Sequence, residues 1–567
     1  MKAIVKEIEE FFQCKAYVIA LSLVAVCGYG YAIMNPIIGM DDTAINLYFD
    51  EGMAPYVGRW TLFMLNKFLK LDEFAPWMVE LISVLVLMLS VTLWCVLFRR
   101  ICRKRVQLPV WSWLFVACIF ISCPLISEVF VFYLHNGICI SYGLVALSVL
   151  YLLESLKKEA NEETEVKQRN YRDKIKDIAA ASAMLAIALG CYESFAIVFI
   201  MGAVLVFLLL RRLYGKRDEE CEYLTKIFPW IVNGAAVTGM SLILRTVILK
   251  IINVAYGLEK FDYYNVAYRS LFGGLLDNTA DLFMVLKRFW LKYYVNAIGY
   301  LPITVLVIAL MLIGLYSLYH GIRKKDICIP LCFGGIITLP VIMCIIEGIE
   351  TRYRTAQYVP LVGAFAVLLV SVELWLYSGK RNVLSCICCF VCGVIIFNQC
   401  ANLNKWFYVD DMKYQHFKEV MKQVAYDLER GYDTSKPIVL TGAYEVPYEI
   451  AADAYCSYSS EEFRWIWLVT DIVDPHLKEK YYTPNGYVYT ETPVTSTLQW
   501  GITAFDGTAR QLFKFWEMHG YSFRCETDKE KISEAEKICK DEQMEGFPKE
   551  GYILELEEYI IVNLDKN

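Results

Sequence analysis

WMVELISVLVLMLSVTLWCVLFRRICRKR, running from Trp77 to Arg105, holds a single charge, Glu80, before Phe98 and then closes on five basic residues. A helix needs about 20 apolar residues to cross the hydrocarbon core, because lipid offers no partner to backbone N–H and C=O groups. Trp77–Phe98 meets that length, and its basic end is the kind that stays on the cytoplasmic side. The question is then whether the rest of the chain follows the same rule.

It does. Ten further segments have the length and apolarity of spans: Ala16–Met34, Val110–Tyr133, Gly137–Leu153, Ile178–Cys191, Ser194–Leu210, Ile227–Ile252, Leu301–Tyr319, Ile327–Ile346, Ala356–Tyr377 and Val383–Cys400. The expected fold is therefore mainly α, a polytopic membrane helical bundle of about eleven transmembrane helices. The composition agrees, with 57% hydrophobic residues, 20% charged residues and a mean hydropathy of +0.40. Ala16–Met34 has no small-residue cleavage site and follows the amphipathic KAIVKEIEEFFQCK, so it reads as a retained helix. Of the 20 cysteines, 17 precede Ala401, many inside apolar runs where a thiol is a small hydrophobe.

Lys and Arg fix the expected orientation. With a cytoplasmic N-terminus, the basic clusters at Arg99–Arg105, Lys157–Lys176, Arg211–Arg217, Ile322–Lys325 and Gly379–Arg381 all fall inside. Merging the short fifth and sixth spans would break this pattern at three later loops, so they are kept separate. The loops at 35–76 and 253–300 are then external, and so is everything beyond the last span. Residues 401–567 hold 18 Lys and Arg against 30 Asp and Glu, a net of −12 that leaves +6 for residues 1–400. This acidity argues against a nucleic-acid partner.

The expected domains are a transmembrane unit over 1–400 and an extracytoplasmic α/β domain over 401–567. In the latter, Asp410–Arg430 has helical apolar spacing that stops at Gly431, and Ala509–Gly520 reads as a second helix. PIVLTG (Pro437–Gly442) reads as a buried strand, and GYILELEEYIIVNL as two more.

Charges that survive near spans usually line a polar cavity. At the expected outer ends stand Asp41, Asp42 and Arg59 in GMDDTAINLYFDEGMAPYVGRW (Gly39–Trp60), Glu128 and His135 where the third span turns into the fourth, Glu193 in CYES, and Glu350, Arg352 and Arg354 in EGIETRYR. Each has a plainer reading. The aspartates suit solvated loop charges, the two late arginines suit interfacial anchors, the glutamates suit helix-turn caps, and His135 is read as structural. FDYYNVAY (Phe261–Tyr268) is most simply an interfacial aromatic belt.

Taken in order, the DD pair, the GRW element ending at Trp60, a glutamate at the next external turn and the Arg-rich TRYR resemble the bacterial and phage O-antigen glucosyltransferases of the Gtr type II family. The resemblance covers most of residues 1–400 and extends weakly to GFPKEGYILELEEYIIVNL. It implies a GT-C class membrane glycosyltransferase of the bacterial cytoplasmic membrane. Such an enzyme moves a hexose, glucose by the resemblance, from a polyprenyl-phosphate donor to an extracytoplasmic glycan or glycolipid acceptor with inversion. It also implies that Asp41 or Asp42 is the general base. Arg59, Arg352 and Arg354 would then hold the donor phosphate, with Trp60, Glu128, Glu193 and Glu350 lining the cavity.

The chemistry fits independently. A sugar hydroxyl is a poor nucleophile that a carboxylate can deprotonate, and a departing lipid phosphate needs fixed cations. No Gly-rich phosphate loop follows a strand, and no His/Cys cluster supports structural zinc. A divalent cation on the Asp41–Asp42 pair stays open. The competing expectations are a lipid-linked saccharide transporter or flippase, and a surface polysaccharide polymerase. A transporter commonly shows repeated halves with polar groups at mid-membrane, whereas these charges gather at one face.

Overall fold

The computed structural model describes residues 2–37, 53–56, 58–69, 76–130, 137–160, 167–214, 223–257, 304–347, 356–378, 382–444, 507–541 and 543–565. In chain order the main helices are α1 (Lys2–Gln13), α2 (Lys15–Met34), α3 (Met53–Tyr56), α4 (Trp60–Leu69), α5 (Pro76–Cys102), α6 (Val110–Ile121) and α7 (Ser127–Phe130). They continue with α8 (Gly137–Ala160), α9 (Lys167–Leu189), α10 (Phe195–Leu213), α11 (Ile227–Tyr256), α12 (Thr304–Lys324), α13 (Cys328–Glu347), α14 (Val359–Ser378) and α15 (Asn382–Gly431). After them come β1 (Ile438–Thr441), α16 (Arg510–Met518), α17 (Lys529–Asp541), β2 (Ile553–Glu555) and β3 (Ile560–Asn563).

Over the described residues ten of the eleven expected segments each coincide with one helix, whereas the expected single span Val110–Tyr133 is broken after α6 at Ser122–Cys123 and resumes as the short α7. Among the described residues, 7 helices are long and apolar enough to cross a membrane, and Val110–Ile121 and Cys328–Leu339 are shorter apolar helices. The fifth and sixth segments are separate helices, α9 and α10, joined by the turn that carries Glu193.

The helices hold together through small residues and buried hydroxyls, the contacts available where water does not drive association. Gly202 on α10 lies against the Trp94 ring, where an added Cβ would collide with the indole. Tyr17 Oη and Thr92 Oγ1 are 3.0 Å apart, the Tyr29 hydroxyl donates to the Ile121 carbonyl at 2.6 Å, and Tyr142 donates to Gln357. Each of these three tyrosine hydroxyls thereby keeps a partner, which offsets its desolvation cost. The described cysteines are all free, as expected of thiols used as apolar filler.

One of the basic clusters is partly consumed inside the bundle. At the end of α10, Arg211 Nε donates to Asp326 Oδ2 at 2.6 Å, and Arg212 makes a two-pronged contact with Glu373 at 2.5 and 2.7 Å. These pairs fasten α10 to the turn before α13 and to α14.

α15 is continuous across residues 400–401, so one helix serves two apolar cores. Its first part packs on α2 and α6, and its later residues Phe417, Met421, Val424 and Leu428 pack with β1, α16 and β3. The Trp516 indole donates to the Met421 carbonyl at 2.9 Å. In the small sheet β3 is central, parallel to β1 and antiparallel to β2. The expected helices and strands of this region are present, and α17 is an additional helix that the apolar spacing did not reveal.

Candidate active site

The site grows from the segment that precedes α4. Gly58 N–H donates to the Pro55 carbonyl at 2.9 Å and Arg59 N–H to the Ala54 carbonyl at 2.8 Å, which closes a tight turn after α3. Gly58 sits at φ +87°, a conformation open to glycine. A Cβ there would also collide with the Arg245 guanidinium.

α4 then docks on the end of α9. A helix leaves its last carbonyls without partners. Thr61 supplies two, with its N–H on the Gly190 carbonyl at 3.0 Å and its hydroxyl on the Ile187 carbonyl at 2.8 Å. Gly190 has no room for a side chain, because a Cβ would strike Thr61 and the Trp60 indole. Trp60, Leu62 and Phe63 are buried with Cys191 and Ile252, and Phe63 meets the Tyr256 ring edge-on at 5.0 Å.

Into this junction points one pair of opposite charges. Arg245 on α11 brings Nη2 to 2.5 Å from Glu193 Oε1 and to 3.4 Å from the Gly58 carbonyl oxygen. Their side chains keep 20% and 33% of their exposure, so the pair is neither sealed nor freely solvated. The Arg59 guanidinium lies over the Tyr192 ring, 5.0 Å from its centre. Arg245 Nε and Trp60 Nε1 are buried, and neither has an acceptor among the described residues.

Arg59, Trp60 and Glu193, residues expected at the site, are thus brought together at one junction. Glu193 is not the helix cap of its plainer reading, since its carboxylate is engaged by Arg245. Glu128 falls on α7, a helix of four residues. Asp41, Asp42, His135, Glu350, Arg352, Arg354 and the Phe261–Tyr268 belt lie outside the described residues. Arg245 was missed by the sequence reasoning. Its signal was an isolated arginine inside the apolar run SLILRTVILK, and a charge within a span is by default a functional one.

The chain on the N-terminal side of Asp41 and Asp42 is also anchored. Near the end of α2, the Tyr31 hydroxyl donates to Asp411 Oδ2 on α15 at 2.8 Å, and Ile37 packs against the second apolar core. Beside it on α15, burial pushes the Lys413 ammonium down to about 8, and the nearby Asp410 only partly opposes this. His416 is also lowered by burial and sits 2.7 Å from the Tyr444 hydroxyl. Among the described residues no group of His, Cys, Asp and Glu could hold a metal ion.

No curated protein and no solved structure matches the chain. A family model, Glucosyl transferase GtrII, matches residues 30–371, a span that takes in Asp41, Asp42, Gly58–Trp60, Glu193 and Arg245 and ends within α14. That match covers more than half of the chain, which therefore belongs to the GtrII glucosyl transferase family and is a membrane glycosyltransferase.

Proposed function

We propose that the protein transfers a hexosyl unit, glucose by family, from a polyprenyl-phosphate donor to a glycan or glycolipid acceptor at the extracytoplasmic face of the bacterial cytoplasmic membrane. The reaction is inverting and of the GT-C type. Asp41 or Asp42 takes the proton of the acceptor hydroxyl as its oxygen bonds to the anomeric carbon. The bond from that carbon to the phosphate oxygen breaks on the opposite face. Charge gathers on the leaving lipid phosphate, where Arg59, Arg352 and Arg354 stabilise it. Arg245 joins them as a fourth cation.

One observation carries this reading. The segment bearing Asp41 and Asp42 is held at one end by Tyr31 on Asp411 and at the other by Gly58–Trp60 on the Glu193–Arg245 pair. A carboxylate base on a segment anchored at both ends has less freedom to lose on meeting the acceptor, and positioning of this kind supplies much of a transfer enzyme's rate. The contact of Ile37 with the second core supports a role for the C-terminal region beside the acceptor.

The test is transfer from polyprenyl-phosphate-glucose to isolated cell-surface glycans by the purified full-length protein. Asp41→Asn or Asp42→Asn should lower kcat by at least about a hundredfold, the usual contribution of a general base. Wild-type rates in both variants would rule out the carboxylate mechanism.

A further inference from the structure

We propose that the notch between α1 and the turn after α5, at the opposite end of the bundle, binds the phosphate of an anionic glycerophospholipid. The inference does not depend on the glycosyl-transfer reading.

α1 has the marks of a helix lying along a membrane surface. It buries Ile4 and Phe11 against the bundle while Val5 and Phe12 stay 47% and 38% exposed, and Cys14 alone separates it from α2. Two glutamates fasten it to the end of α5. Glu7 Oε2 accepts from Arg100 Nε at 2.8 Å, and Glu10 Oε2 from Arg99 Nη2 at 2.7 Å. The Arg99 guanidinium also lies over the Phe11 ring, 4.5 Å from its centre.

These residues enclose a cavity of about 260 Å³ that Arg103 and Trp113 also line. Charge in it is not balanced. Three arginines, Arg99, Arg100 and Arg103, line it against the two carboxylates of Glu7 and Glu10, which pair with Arg100 and Arg99. Arg103 faces the notch with no ion-pair partner among the described residues. A phosphate there would meet Arg103 at once and share Arg99 and Arg100 with the glutamates, in the forked geometry guanidinium favours.

The wall distinguishes a lipid from a free ion. Val106, Leu108 and Trp113 line the same cavity at the level where the apolar part of α5 ends. Inorganic phosphate would use none of that surface, whereas a glycerol backbone entering its acyl chains would. Basic pockets at the ends of membrane helices recognise anionic head groups in this way.

The full-length protein, stripped of lipid in neutral detergent, is titrated by native mass spectrometry with phosphatidylglycerol, phosphatidylcholine or inorganic phosphate. Phosphatidylglycerol should bind in preference to phosphatidylcholine. Arg103→Ala should weaken it by roughly tenfold, the loss of one charge-assisted contact, with Arg103→Lys restoring part of the affinity. Glu7→Gln frees Arg100 and should tighten binding, a change that a purely structural notch would not give. Equal binding of the two lipids, or wild-type affinity in Arg103→Ala, overturns the proposal. Arg103-dependent binding of inorganic phosphate that phosphatidylglycerol fails to displace overturns the lipid assignment.

Discussion

Arg245 Nη2 stands 2.5 Å from Glu193 Oε1 while also reaching the carbonyl of Gly58, so one guanidinium joins α11, the α9–α10 turn and the segment leading into α4. Three parts of the chain separated by up to 187 residues meet at that side chain. A charge placed in a span is costly to insert, and the carboxylate opposite offsets part of that cost.

Removing one partner should therefore hurt more than removing both. Arg245→Ala leaves Glu193 without its counter-ion and should destabilise the protein by about 1–3 kcal/mol, less than a sealed pair because both side chains keep some exposure. Arg245→Ala/Glu193→Gln should regain most of the stability without regaining transfer activity. Thermal unfolding and turnover, measured on the same preparations, separate the two effects. If the double variant regains activity as well, Arg245 is structural.

Gly58 and Gly239 make a matched pair of glycine tests. Gly58→Ala forces a side chain into positive φ and into the guanidinium, and should cost at least about 1–3 kcal/mol with a large loss of activity. Gly239, inside α11, has open space around the position of a Cβ, so Gly239→Ala should be neutral or stabilising by about 0.5–1 kcal/mol. Unfolding temperatures in one detergent check both, and equal shifts would contradict the packing at Gly58.

The Lys413 ammonium predicts a pH effect of definite sign. Its folded value near 8 lies below the ordinary 10.5, so between these values the unfolded chain binds more protons than the folded one. Stability from this group then rises with pH over that window, and the burial penalty is fully present below pH 8. Lys413→Met should stabilise the protein at neutral pH and flatten that rise. Wild-type and variant unfolding curves at pH 7.5 and at about pH 10 give the difference, and parallel curves would exclude it.

At the far end, Arg211 and Asp326 keep only 6% and 8% of their side-chain exposure. Arg211→Ala strands a buried carboxylate and should cost about 3–5 kcal/mol, the range for a broken buried pair. Arg103→Ala, on an exposed turn, should change stability by less than about 0.5 kcal/mol. A small effect at Arg211 in protease-resistance or unfolding assays would mean that water reaches the pair.

The site was partly legible. Glu193 and Gly58–Trp60 stood out because charges and a glycine flank apolar spans, where composition alone makes them conspicuous. Arg245 carried the same signal and was passed over because it lies well inside its span rather than at the end. Arg211 and Arg212 read as loop charges that orient the chain, yet each is bound to a carboxylate more than 100 residues away. Sequence periodicity reports a residue's own surroundings and contains nothing about such partners.

Length and apolarity by themselves determined the helices of the bundle, because lipid forces each crossing segment to satisfy its own backbone bonds locally. Short-range pattern likewise marked β1, β2 and β3 as strands. Only the tertiary structure decided that β1 lies parallel to β3, that α15 runs unbroken through both cores, and that Glu193 meets Arg245. Those are contacts between distant segments, and their geometry exists only once the helices have packed.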